Sequence, residues 1–439
     1  MKKSTLIVVV LAIALGAFVY FYDSKHSVAP PTDEASWKPA FAVNADQITG
    51  LTLVSGTGKT VFAKQGNSWQ MTQPVSTRAD QTSISGIVTD LSSAKISRSF
   101  APADSLSKYG LAQPAVTIDF QQKDSVEHTI RLGDKDFSGN VVYALIDASK
   151  NVDLLPVSLL DETDKPLSQL RDRSVLELNE GEITGITIDD PSGTLAVTKK
   201  NSTWDIAKPK EVVADSSAAD SLASALSTDK FTDVVSESPD DLAKYGLTHP
   251  SMGVTATTKG QEFHLLVGKK NGDNYYARDT ARPMIFEISS TVYDALNKKF
   301  FDLRDKSILQ FDPTNVATVE IHNVNGTIQC AQGKDDQWTI LQPAADKGKA
   351  IQSWKILDPI QNARAKQIYD TPSRTVLAHL AKPAIEVILT DKSGKKTTVD
   401  ISAPVGDSVY VRTTAGPEVY ELNTQILKDL GFKAVDLLM

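Results

Sequence analysis

The sequence predicts an α+β fold: three tandem modules of mostly antiparallel sheet with about two helices each, preceded by one N-terminal transmembrane helix. Three observations predict it. First, several motifs recur in one order at nearly one spacing. Leu106-Ser107-Lys108-Tyr109-Gly110-Leu111-Ala112-Gln113-Pro114 returns as Leu242-Ala243-Lys244-Tyr245-Gly246-Leu247-Thr248-His249-Pro250, 136 residues on (246 − 110). Trp69, Trp204 and Trp338 each head a short stretch ending at Pro74, Pro209 and Pro343, in steps of 135 (204 − 69) and 134 (338 − 204). Leu170-Arg171-Asp172-Arg173-Ser174 recurs 133 residues on as Leu303-Arg304-Asp305-Lys306-Ser307 (303 − 170). Second, each copy shows period-two alternation broken by turn residues, as an antiparallel meander requires. Third, Leu6 to Tyr22 is an apolar run of 17 residues, about 26 Å as a helix.

That run follows Lys2 and Lys3, which hold the near end in the cytoplasm by the positive-inside rule, and ends on Tyr20, Phe21 and Tyr22 as an interfacial belt. It is longer than the apolar core of a signal peptide. Ser27-Val28-Ala29 offers a competing cleavage site, with Pro30 directly after the scissile bond. The expected order is an anchor over 1–23, a Pro-containing linker over 24–45, and modules over 46–178, 179–311 and a divergent 312–439. The linker carries Pro30, Pro31 and Pro39 and reads as a spacer.

Each module opens with an alternating strand (48–54, 183–188, 316–321), then a Gly turn, a second strand and the Trp strand. The Trp reads as a core plug and the Pro as a strand terminator. A helix follows. Ile84, Ile87, Val88 and Leu91 line one face behind the N-cap Asp80; Ala218, Leu222, Ala225 and Leu226 do so behind Asp215; Ile351, Trp354 and Leu357 continue the stripe. In the Lys-Tyr-Gly-Leu box Gly110 supplies a left-handed residue, Leu111 folds back on the cap, and Pro114 bars re-entry into helix. The third copy, Leu377-Ala378-His379-Leu380-Ala381-Lys382-Pro383, has lost the Gly. Four more strands and a closing helix complete each copy.

Composition narrows the function classes. A 439-residue chain at 41% hydrophobic and 23% charged reads as globular and long enough for several cores. A net charge of −8 with no basic stripe argues against a nucleic-acid partner. The repeat is far longer than a solenoid unit. Cys330 is the only cysteine, so no intramolecular disulfide and no multi-cysteine metal site can form.

Taken together, Trp-x-hydrophobic-x-x-Pro, Tyr-Gly-Leu-x-x-Pro and Leu-Arg-Asp-Lys/Arg-Ser resemble the DUF4340 family across residues 46–439. The resemblance implies a bacterial envelope protein with an N-terminal membrane segment, often encoded beside gliding-motility-type ABC transporters. It implies no catalytic residues.

The candidate sites have bland explanations beside the functional ones. Ser55-Gly56-Thr57-Gly58-Lys59-Thr60 suggests a P-loop, but Leu53 stands where its first Gly belongs and a strand follows. Leu132-Gly133-Asp134-Lys135 and Val267-Gly268-Lys269-Lys270 suggest anion nests, or turns between strands. His26, His128, His249, His264, His322 and His379 lack ligand spacing. Asp189/Asp190, Asp240/Asp241 and Asp335/Asp336 lack calcium-loop spacing. Arg171-Asp172 and Arg304-Asp305 suit an inter-module clamp or a partner-binding edge. No residue is assigned a catalytic, cofactor-binding or metal role, and no cofactor is expected.

The expected function is a non-enzymatic, extracytoplasmic accessory or scaffold at the bacterial inner membrane, attached through residues 4–22, with an ABC-type permease or other envelope protein as partner. Three modules in a row suggest a rod with repeated grooves. The alternative is an envelope polysaccharide-binding protein that stacks sugars on Tyr143, Tyr275, Tyr276 and Tyr410. A hydrolase ranks third.

Overall fold

The computed structural model describes residues 37–103, 105–333 and 336–439. The expected anchor over 1–23 and residues 24–36 of the linker lie outside the described residues. Among the described residues no helix is long and apolar enough to cross a membrane.

Among the described residues strand dominates, 42% against 22% helix, and it is arranged in four sheets rather than three modules. The first large sheet runs Thr77–Arg78, Ser68–Gln73, Gly58–Gln65, Ile48–Ser55, Val116–Gln122, Glu127–Lys135, Val141–Ile146, Val152–Pro156, Arg98–Phe100. The second repeats this nine-strand order, and the third repeats it with eight, lacking the outermost two-residue strand. The strand after the helix therefore returns to the far edge, while the strand opening each copy pairs with the first strand of the second half.

The fourth sheet corrects the expected architecture. Lys38–Pro39 pairs antiparallel with Lys95–Ile96. Proline lacks an amide donor, so Pro39 made this stretch read as spacer, yet a two-residue edge pairing tolerates it. Phe41 and Val43, placed in the linker from sequence, are buried in the first core, and Phe41 meets Phe120 edge-on at 5.1 Å. The helix count also differs: among the described residues each repeat holds three α-helices rather than about two, for example Gln81–Ser93, Ser158–Thr163 and Leu167–Leu170.

The described chain forms two compact units, one of residues 37–179, 226–245 and 270–290, the other of 180–225, 246–269 and 291–439. In the first, Asp80 caps Gln81–Ser93 by accepting from the Ser83 amide, and Ile84, Ile87, Val88 and Leu91 bury their stripe against the sheet with Trp69, Phe62 and Met71. Val142, Ala144 and Ile146 face that core, while the alternate residues Tyr143 and Leu145 join a smaller cluster with Leu111 and Val152. Gly110, at φ 69°, gives the turn its left-handed residue, and Leu111 donates back to the Leu106 carbonyl.

In the second unit the core gathers Trp338, Ile340, Ile356, Leu357, Ile360 and the strand residues Val387, Val399 and Val411. Trp354 departs from its expected place. The helix is Trp354–Gln361, Ile356 rather than Trp354 completes its buried face, and Trp354 is 56% exposed. Without glycine, the third Leu-x-x-Leu box ends its helix Arg374–His379 on Leu380 at φ −98°, with no left-handed residue.

Candidate functional site

Among the described residues, five of the seven buried charged side chains (Arg171, Asp172, Asp279, Arg282 and Arg304) cluster at two repeat junctions, the others being Asp153 and Asp400, and both clusters grow from the Leu-Arg-Asp boxes. At the first junction the segment leaving one copy hydrogen-bonds to that copy's own edge: Asp80 N–H donates to the Leu170 carbonyl, and Asp172 N–H to the Arg78 carbonyl. This pins Arg171, 2% exposed, so that its guanidinium reaches Glu237 of the following copy through two bonds of 2.9 and 3.3 Å. Asp172 accepts from the Ser174 amide and hydroxyl and lies near Lys230 (3.3 Å) and Arg78 (3.5 Å). Burial alone would raise its pKa, but the Ser174 hydrogen bonds and the two cations outweigh it and hold it below the ordinary carboxylate value.

The second junction repeats the plan. Asp215 N–H donates to the Leu303 carbonyl and Asp305 N–H to the Val213 carbonyl. Arg304, 6% exposed, forks onto Asp370 at 2.8 and 3.1 Å, and Lys210 adds a contact to the same carboxylate at 2.6 Å. Burial raises and the Ser307 and Gln310 hydrogen bonds lower the pKa of Asp305, with a net downward shift. Glu237 and Asp370 each follow the far-edge strand of their copy, Val234–Ser236 and Gln367–Tyr369. The outer copies differ. Ala101 follows the corresponding strand Arg98–Phe100, and Leu438, bridged to Ile351 as Arg304 is to Ala214, stands at the arginine position.

The junctions diverge in what fills them. At the first, a second arginine, Arg282, 7% exposed, donates from Nε to Asp279 (2.9 Å) and from Nη2 to the Ser174 and Val175 carbonyls (3.0 and 2.5 Å). Its guanidinium carbon lies 5.2 Å from the Phe286 ring centre and 5.9 Å from that of Phe231. Glu177 lies 3.7 Å from it, and burial pushes the Glu177 carboxyl up more than Arg282 holds it down. At the second, Gly416 occupies the corresponding loop position, and a cavity of about 380 Å³ opens, lined among others by Arg304, Asp305, Ser307, Ile308, Glu418 and Tyr420. Sequence comparison of the copies missed Arg282 because it is not repeated; its absence from the third copy was the available signal.

A groove of about 490 Å³ lies at the exposed Trp354, with Phe432, Pro359, Asp358, Asp429 and Asp436 around it. Lys355 sits over the indole at 5.9 Å and donates to the Asp436 carbonyl. The stripe reading had placed Trp354 in the core and so concealed this surface.

The other candidates resolve locally. Gly58 closes the hairpin between the first two strands, Ser55 opposite Gly58. A Cβ on Gly133 would lie 2.1 Å from the Tyr109 carbonyl oxygen, so that glycine serves the close approach of the Lys-Tyr-Gly box. Tyr143 packs edge-on against Tyr109, Tyr276 against Tyr245, and Tyr410 against Tyr369, all three half-buried; Tyr275 is half-buried too, beneath Lys270. His128 pairs with Asp147, His264 with Thr255, His322 with Glu320, and His379 stacks on Tyr410. His249 is exposed, and His26 lies outside the described residues. Asp189 bonds Thr194, Asp190 pairs with Lys299, and Asp241 caps Ala243; Asp240 and Asp336 are exposed, and Asp335 lies outside the described residues. Burial pushes the Cys330 thiol up to about 12. Among the described residues no group of His, Cys, Asp and Glu could hold a metal ion.

Comparison with known proteins yields a family match over most of the chain: the profile described as "Domain of unknown function (DUF4340)" matches residues 69–205 and 204–383. No curated protein matches. The chain is also similar to a solved structure provisionally assigned as a DNA polymerase III beta subunit from Eubacterium rectale, at 9% identity over 90% of this chain and 93% of that one, with a TM-score of 0.15. So slight a likeness carries no argument.

Proposed function

As the chain belongs to DUF4340, a family of unknown function, we propose that it is a non-enzymatic accessory or scaffold protein of an ABC-type transport or envelope-assembly complex. Residues 4–22 attach it to the bacterial inner membrane, and the body lies on the periplasmic side. The observation that carries this reading is Trp354: an indole 56% exposed beside Phe432, with Asp358, Asp429 and Asp436 around it. Apolar surface held in water and rimmed by acids suits a protein segment that brings apolar and basic side chains together.

The test is a pull-down of full-length protein from mild-detergent membranes, beside the Trp354→Ala variant and a form lacking residues 1–23. Recovery of a permease and ATPase that drops about tenfold in Trp354→Ala is expected. Undiminished recovery with the variant would remove the groove from the contact. The same groove favours the second reading, envelope polysaccharide, because an aromatic face beside carboxylates is also a sugar platform. Retention of cell-wall glycan by the wild type and not by Trp354→Ala, with no protein recovered, would select it.

A further inference from the structure

The second junction contains a cavity where the first contains an arginine. The loops align residue for residue. Asp279-Thr280-Ala281-Arg282-Pro283-Met284-Ile285-Phe286 corresponds to Thr413-Thr414-Ala415-Gly416-Pro417-Glu418-Val419-Tyr420, at a step of 134 (416 − 282). Each loop joins matching strands, Asn274–Asp279 to Ile285–Ser289 and Ser408–Thr413 to Val419–Asn423. The exit boxes align as well: Ser174 and Val175, whose carbonyls receive Arg282, correspond to Ser307 and Ile308 on the cavity wall.

We infer that the cavity at the second junction is a binding site for a guanidinium group, seated where Arg282 seats its own in the first. Four features equip it. Ser307 and Ile308 supply the backbone that corresponds to the two carbonyl acceptors. Tyr420 places a ring where Phe286 lies beneath Arg282. Glu418 brings a carboxylate where the first junction has the neutral Met284, and it forms no ion pair among the described residues. Its carboxylate oxygen would stand 2.3 Å from a Cβ on Gly416, so it reaches into the space left by the missing arginine. Arg304, the cation on the wall, is already forked onto Asp370. Asp305 is already bonded by Ser307 and Gln310 and faced by the charge of Arg364, so Glu418 is the carboxylate that the wall leaves to a guest, and a planar cation is the complementary one. Lysine could meet the charge, but not the paired carbonyls and the ring together.

The test is calorimetric titration of the full-length protein in detergent with N-acetyl-arginine amide, the matching lysine derivative, free arginine and an arginine-containing tripeptide. Saturable binding of the blocked arginine is expected, about tenfold tighter than the lysine derivative. Gly416→Arg should abolish it, because the new side chain becomes the occupant. Glu418→Gln, which keeps shape and needs no repacking, should weaken it by about tenfold. Tighter binding of the tripeptide than of free arginine would identify a protein segment as the source; the reverse would identify the amino acid. No saturation by blocked arginine, equal affinity for the lysine derivative, or unchanged binding in both variants overturns the inference.

Discussion

The two junctions share a skeleton and differ in content. Each pins an arginine by the backbone of its own copy and forks it onto a carboxylate of the next, Arg171 onto Glu237 and Arg304 onto Asp370. The first then seals itself with Arg282, Asp279 and two phenylalanines, whereas the second leaves a cavity with Gly416, Thr413 and Tyr420 at the same positions. The fork is thus common to both joints, and the plug belongs to the first alone. A duplicated interface can relinquish its filling and keep its hinge pin, and space released in that way becomes available for binding.

The comparison can be broken most sharply by emptying the first junction. Arg282→Gly leaves the buried Asp279 without its partner and the two rings without their cation. It should cost about 3–5 kcal/mol in urea denaturation. A loss below about 1 kcal/mol would mean that the plug contributes nothing the open junction lacks. Next come the forks. Arg171→Ala should cost about 2 kcal/mol, more than Arg304→Ala, because Lys210 remains on Asp370 after the second change. Arg304→Ala and Lys210→Ala together should exceed the sum of the single losses, since each cation covers for the other.

The smallest effect sharpens the electrostatics. Glu177 corresponds to Gln310, which at the second junction donates to Asp305. A raised folded pKa means that Glu177 adds stability below its unfolded value of about 4.3 and loses it as pH rises through the folded pKa. Asp172 and Asp305, both lowered, act oppositely: their contribution is present above about 3.9 and is lost as pH falls through the folded pKa. Glu177→Gln should therefore stabilise the protein at pH 7 by up to about 1 kcal/mol. It should also steepen the loss of stability on acidification, read from urea midpoints between pH 3 and pH 7. An unchanged pH profile would show that Glu177 is solvated in the folded protein.

Much of this was legible before the structure because repetition amplifies weak signals. Trp69, Trp204 and Trp338 are buried plugs, Gly110 is the left-handed residue of its box, and the Arg-Asp boxes form clamps, each recognisable from copies that agree. The acceptors Glu237 and Asp370 escaped notice: one is Glu, the other Asp, and both lie outside any shared motif. Arg282 and Trp354 were invisible for the opposite reason, since each occurs in one copy alone. Trp354 also satisfied a helical stripe whose true phase is set by Ile356 and Ile360, which pack in the core. The pairing of Lys38–Pro39 was hidden by its proline, and a two-residue ladder leaves no period to detect.

Ala101 and Leu438 give the fork a polarity that bears on self-assembly. The inner positions carry a guanidinium on one copy and a carboxylate on the next, but the outer ones carry a methyl group and an isobutyl group. A head-to-tail contact between two molecules through these surfaces would find neither half of the salt link. The ion pair that fastens the copies within one chain is therefore not available to a contact of that kind between chains, which would bring two apolar side chains together instead.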